Sequence, residues 1–128
     1  MSQTNPEGEL VIKTIAMPAD TNVSGDIFGG WLLSQMDLGG SIMAHQAVRN
    51  RVTTVAVDGM VFLKPVKVGD RVSCYAKIVH RGKTSIGIQI QVWIMQLNGG
   101  VEYQVTQGKF TYVSINAAGR PSPIVWQT

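Results

Sequence analysis

A single cysteine, Cys74, stands among 128 residues. No disulfide can close within the chain, and a lone thiol agrees with a reducing compartment. Charged residues make up only 15% of the sequence, and no run of lysine or arginine forms a phosphate-tracking stripe. No apolar run approaches the ~18 residues that a membrane helix needs. The start, "MSQTNPEGEL", lacks the basic and apolar regions of a secretory signal. The expectation is a soluble cytoplasmic protein that binds no nucleic acid and spans no membrane. There is no G-x-S-x-G elbow, no Walker loop and no dinucleotide fingerprint. His45 and His80 lie far apart, without cysteine or carboxylate at ligand spacing. No metal site and no resident cofactor are therefore expected.

Hydrophobic residues, by contrast, make up 45% of the chain, and there are fourteen glycines. That is enough apolar material for one domain with its own core, needing no metal or disulfide staple. The net charge is 11 − 8 = +3, and the isoelectric point is near 9.2. A mildly basic surface suits an anionic small molecule such as a nucleotide.

Two periodicities divide the chain. Phe28, Leu32, Met36, Gly40, Met43, Ala44 and Ala47 recur every three to four residues, which predicts a helix ending near Val48. Trp31, Leu33 and Leu38 widen its apolar surface, so it is expected to be buried on most sides. Residues 9–16, 52–63, 71–80, 85–97 and 102–115 read as strands. In 71–80, Val72, Cys74, Ala76 and Ile78 alternate with Arg71, Ser73, Tyr75 and Lys77, so one wet and one dry face are expected. The short links "RGKT" and "NGGV" predict antiparallel hairpins. One buried helix and one long antiparallel sheet bury each other when the sheet wraps the helix. The predicted architecture is α+β: a single domain over residues 9–123, with 1–8 and 124–128 as flexible ends.

The stretch "GDIFGGWLLSQMDLGG" (25–40) sets two glycine pairs around one carboxylate, Asp37. A glycine inside a helix costs roughly 1 kcal/mol relative to alanine, so the glycines need a reason. Gly29 and Gly30 fall at the helix start, where backbone N–H groups lack helical partners and favour negative charge. They suit an oxyanion, or they merely permit a tight entry turn. Gly39 and Gly40 are better explained by close packing. Asp37 is flanked by Met36 and Leu38, surroundings that favour a base, though a solvated helix aspartate is the commoner case. Asn22 offers an amide donor, or simply caps its turn. Asp58–Gly59 interrupts an apolar strand and predicts a bulge.

The segments "MPADTNVSGDIFGGWLLSQMD", "RVTTVAVDGMVFLKPVKVGD" and "RGKTSIGIQIQVW" carry a resemblance to the YciA-type acyl-CoA thioesterases of the hotdog superfamily, spanning roughly residues 9–123. The resemblance implies a hotdog fold, hydrolysis of acyl-CoA thioesters over a broad chain range, and coenzyme A as part of the substrate. It implies a homodimer with shared active sites, often a trimer of dimers. By analogy Asp37 is the catalytic carboxylate, with Asn22 supplied by the other subunit and Gly29 and Gly30 holding the oxyanion. Coenzyme A contacts are implied near Arg81, Gly82, Lys83, Thr84 and Ser85, with Val57, Asp58 and Gly59 beside the substrate. Two other readings stand beside it. One is a hotdog hydratase or dehydratase, whose usual histidine is missing from "DTNVSGD". The other is a non-catalytic acyl-CoA sensor.

Overall fold

Five stretches rich in valine, isoleucine and threonine extend into strands, and the stretch with the helical repeat coils. In a computed structural model, which describes residues 5–127, the order is β1 (Glu9–Ile15), α1 (Gly29–Ala47), β2 (Arg51–Phe62), β3 (Arg71–Arg81), β4 (Ser85–Met95) and β5 (Tyr103–Ile115). A 3-10 turn, Pro18–Asp20, precedes α1. The strands form one antiparallel sheet in the order β1-β3-β4-β5-β2. α1 touches all five strands, which is the expected α+β wrap. No helix among the described residues is long and apolar enough to cross a membrane.

Packing explains the second glycine pair. α1 buries Leu32, Met36, Gly39, Gly40, Met43 and Ala44. A Cβ at Gly39 would lie 2.8 Å from Val11 Cγ2, and one at Gly40 would lie 2.2 Å from Tyr112 Oη. Both glycines let strand side chains press on the helix backbone. The dry faces of β3 and β4 supply the core: Val72, Cys74, Ala76, Ile86, Ile88, Ile90, Val92 and Ile94, closed by Phe110 from β5. Burying a large apolar side chain contributes about 1.5–3 kcal/mol. Cys74 lies within this core, and burial pushes its thiol up from 9.0 to about 12, so it is not a nucleophile.

Three features differ from the sequence-based expectation. The helix is not covered on most sides: Leu33, Leu38 and Ile42 remain 37%, 54% and 36% exposed, because the sheet reaches only one flank. The outer face of β4 is not uniformly wet. Gln91 and Trp93 are buried there, and Trp93 Nε1 and the Glu7 backbone N–H both donate to Gln91 Oε1 at 3.0 Å. The ends are tied where they are described. Residues 1–4 and 128 lie outside the described residues. Within 124–127, Ile124 N–H donates to the Lys83 carbonyl and Gln127 N–H to the Ala47 carbonyl, each at 2.8 Å. Ile124 and Trp126 pack against the core, which is why this segment does not run free.

Candidate active site

The turn before α1 is organised by Asn22. Its Oδ1 accepts the backbone N–H groups of Ser24 at 2.9 Å and Asp26 at 3.2 Å, which makes an Asx turn. With Oδ1 occupied, Nδ2 is the group left to donate, and it has no acceptor among the described residues. The β2–β3 loop anchors this turn. Ile27 N–H donates to the Val66 carbonyl at 2.9 Å, and Lys67 pairs with Asp26. Phe28 supplies no side-chain cap, and the first turn holds no acidic residue. The N–H groups of Gly29 and Gly30 therefore lack acceptors among the described residues, at the positive end of the helix. Asn22 and Gly29 line one cleft of about 340 Å³, walled by Phe62, Leu63, Lys64 and Pro65. Gly29 makes room for this wall, since a Cβ there would lie 3.1 Å from Phe62 Cζ. Gly30 is exposed, and a Cβ there would meet nothing within 4 Å.

Asp37 is half-buried two turns further along α1. Thr54 Oγ1 donates to its Oδ1 at 2.7 Å. The Tyr112 hydroxyl lies 2.8 Å from the Asp37 carbonyl oxygen and 3.1 Å from Oδ1. Oδ2 takes no hydrogen bond from the described residues, so one oxygen is fixed and the other is open. Burial, followed by the charge and hydrogen bond of Asp37, raises the Tyr112 phenol far above its usual range, so it remains a donor. Neither Thr54 nor Tyr112 was singled out from the sequence. The available signal was a phenol on the dry face of a strand, since a buried tyrosine hydroxyl needs a partner.

Gly30 and Asp37 share one stripe of α1, but seven residues separate them. At 1.5 Å per residue that is about 10 Å along the axis. The free amides and the carboxylate of one chain are therefore offset by about two turns of the helix.

The other candidate residues fall into two places. Asp58 pairs with Lys109, the register shifts between Asp58 and Val61, and Gly59 has φ +68°, so the bulge is present. Asp58 and Gly59 line a cleft of about 300 Å³ with Gln89, Gln107 and Lys109. This cleft opens on the sheet face turned away from α1. Val57 pairs with Phe110 and so faces the helix side. The hairpin 81–85 closes through Gly82 N–H donating to the Ser85 carbonyl at 2.8 Å. The Lys83 and Thr84 carbonyls accept from Ile124 and Ser114, both at 2.8 Å. The Arg81 guanidinium lies 4.6 Å from the centre of the Trp126 ring. Thus Asn22 goes with Gly29 and Gly30, Asp37 with Thr54 and Tyr112, and the hairpin with the C-terminal segment. Among the described residues, no group of three or more His, Cys, Asp or Glu is placed to hold a metal ion.

The chain as a whole resembles proteins already described. Residues 24–99 match the family described as the thioesterase superfamily. The acyl-CoA thioester hydrolase YciA of Salmonella typhimurium is 54% identical over 122 residues, 93% of this chain and 92% of that protein. The hexameric thioesterase y2039 from Yersinia pestis superposes with a TM-score of 0.90 at 55% identity, covering 94% of this chain and 98% of that one. HI0827, a hexameric broad-specificity acyl-coenzyme A thioesterase, gives a TM-score of 0.89 at 45% identity, covering 94% and 84%. The fold is the hotdog fold, and the chain belongs to the thioesterase superfamily, among the YciA-type acyl-CoA thioester hydrolases.

Proposed function

We propose that this chain hydrolyses acyl-CoA thioesters to coenzyme A and a carboxylic acid, at sites that two copies build together. The observation that carries this reading is the state of Asp37: Oδ1 is held by Thr54 and Tyr112, and Oδ2 is open. Oδ2 takes a proton from water as the water oxygen attacks the thioester carbonyl carbon. Negative charge moves to the carbonyl oxygen. Gly29 and Gly30 amides at the helix start of a second copy stabilise that oxyanion, and removing one such donor costs on the order of 10²–10³ in rate. Asn22 of that same copy donates from Nδ2 to the carbonyl or to the water. Collapse of the tetrahedral intermediate breaks the C–S bond, and the departing thiolate receives the proton from Asp37. Carboxylate, water and amides supply base, nucleophile and electrophilic support, so no cofactor is assigned a step.

Two observations support a second copy. One chain places Gly30 and Asp37 about 10 Å apart along the helix axis. It also leaves Leu33, Leu38 and Ile42 open beside the edge strand β2, whose Val55, Val57 and Val61 are exposed too. The hexamers formed by y2039 and HI0827 suit a homodimer that assembles further as a trimer of dimers. A broad acyl range is proposed by likeness to HI0827, with the chain lying on the helix side of Val57. The coenzyme A phosphates meet Arg81 and Lys83 of the hairpin, whose Gly82, Thr84 and Ser85 set its shape. Asp58 and Gly59 act on the substrate only through the bulge, which bends β2 next to Val57. The single buried thiol suits the cytoplasm.

Thiol release from a panel of acyl-CoAs, with wild type beside Asp37→Asn, tests the reading. The substitution keeps the shape and removes the base, so loss of about 10²-fold or more is expected. A wild type that binds acyl-CoA and releases no thiol, or an unimpaired variant, would contradict it.

A further inference from the structure

Charge is unevenly distributed over the molecule. Arg49, Arg51, Arg81, Lys83 and Arg120 are all exposed, and all lie at the end of the sheet that holds the β3–β4 hairpin. The C-terminal segment joins them. Arg49 N–H donates to the Val125 carbonyl, Ile124 N–H to the Lys83 carbonyl, and Asn116 N–H to the Arg120 carbonyl, at 2.8, 2.8 and 2.9 Å. Arg51 pairs with Ile115, which bridges to Pro121. Residues 47–53, 81–86 and 113–127 contain no aspartate or glutamate. The ion pairs formed among the described residues, Lys67–Asp26 and Lys77–Glu7, lie elsewhere. An uncompensated cluster of this kind holds a positive potential suited to a polyanion.

Arg81 is the member of the cluster that lies over an aromatic ring. Its guanidinium stacks on Trp126, 4.6 Å from the ring centre. An aromatic face steadies the cation without neutralising it, and leaves the edge of the guanidinium fork free for phosphate. Trp126 is itself anchored by its bridge to Val48 and by the neighbouring Gln127 N–H bond to Ala47. These anchors lie at the end of α1, ten residues beyond Asp37, or about 15 Å along the helix axis. A pantetheine arm spans that separation between its thioester and its phosphates.

We propose that the C-terminal segment 120–127 belongs to the binding site for the nucleotide end of coenzyme A, with Trp126 as the positioning residue that presents Arg81 to the phosphates. The proposal rests on the acyl-CoA reading above. The test compares an acyl-CoA with the same acyl group on N-acetylcysteamine, which lacks the nucleotide. Trp126→Leu keeps apolar bulk and removes the aromatic face; Trp126→Phe keeps a face. Trp126→Leu is expected to raise KM for acyl-CoA about fivefold with kcat held, and Trp126→Phe to raise it much less. The N-acetylcysteamine thioester shows no matching change. Arg81→Gln raises KM for acyl-CoA in wild type and adds little in Trp126→Leu. High salt narrows the gap between wild type and variants. Equal losses on both thioesters, or an unchanged KM for acyl-CoA, would overturn the proposal. If wild type turns over neither thioester, the hydrolase reading fails instead. Calorimetric binding of coenzyme A to wild type and Trp126→Leu then decides the inference by itself: weaker binding by the variant supports it, and equal binding overturns it.

Discussion

Asp37 is defined by what grips it. Thr54 and Tyr112 hold Oδ1 from two different strands. Tyr112→Phe removes one grip with little change of volume and is expected to lower kcat about tenfold, the scale of a hydrogen bond to a charged group. Steady-state thiol release measures it, and an unchanged kcat would show that the carboxylate needs no such hold. The glycines make a paired prediction. Gly40→Ala places a Cβ 2.2 Å from Tyr112 Oη and 2.9 Å from its Cζ, both part of a rigid side chain. It is expected to lower stability by about 1–3 kcal/mol despite alanine's helix propensity. Gly30→Ala meets open space, so thermal melting is expected to show no loss. Impaired turnover in that stable variant would show that the open space in front of Gly30 is taken up by substrate. The close packing at Gly39 and Gly40 was legible in the sequence, because helical period is a local signal, whereas the sequence pattern alone left Asp37 open between a base and a solvated helix aspartate. The Tyr112 contact was not legible, since 75 residues separate the partners.

At the scale of elements, the edge strand β2 is the exposed feature. Its burial is low along most of its length, with Val55 at 55% and Val61 at 62% exposure, and among the described residues no strand pairs with its outer backbone edge. An apolar edge strand is a template for pairing with another chain. Val55→Lys is expected to yield monomers by ultracentrifugation and to lose activity with them, because Asp37 and a second copy's Asn22 would no longer meet. A fully active monomer would contradict the shared site. The strands and helix were readable to within a residue or two, since period two and period 3.6 are written in the local pattern. Strand order was not. That β2 lies beside β5 rather than β3 is fixed by long-range pairing, such as Thr54 with Tyr112. The expected burial of α1 on most sides failed for a related reason. An apolar helix flank in sequence does not say whether its own sheet or a second copy covers it.

For the molecule as a whole, the buried thiol sets an alkaline limit. Burial raises Cys74 from 9.0 to about 12 in the folded chain. Between these values the unfolded chain has lost the proton and the folded chain keeps it. The folded state binds more protons, so stability is complete below pH 9.0 and falls as pH rises toward 12. Tyr112, also raised by burial, acts in the same direction. Melting temperatures of wild type and Cys74→Ala across that range are expected to converge as pH rises, the wild type falling more steeply. Parallel curves would rule out this role for the thiol.

The central claim is that Asp37 and Asn22 of one active site come from different copies, and complementation tests it most directly. Asn22→Asp keeps the Oδ1 that accepts the Ser24 and Asp26 N–H groups, so the turn survives, while the Nδ2 donor is lost. Asp37→Asn keeps the shape and loses the base. Each variant alone is expected to be nearly inactive. Unfolded together and reassembled, they form mixed dimers in which one of two sites holds both native residues. By two-fold symmetry and random mixing, activity then rises to about a quarter of wild type. Activity that stays at the level of the separate variants, although mixed dimers form, would place both residues on one chain and contradict the account.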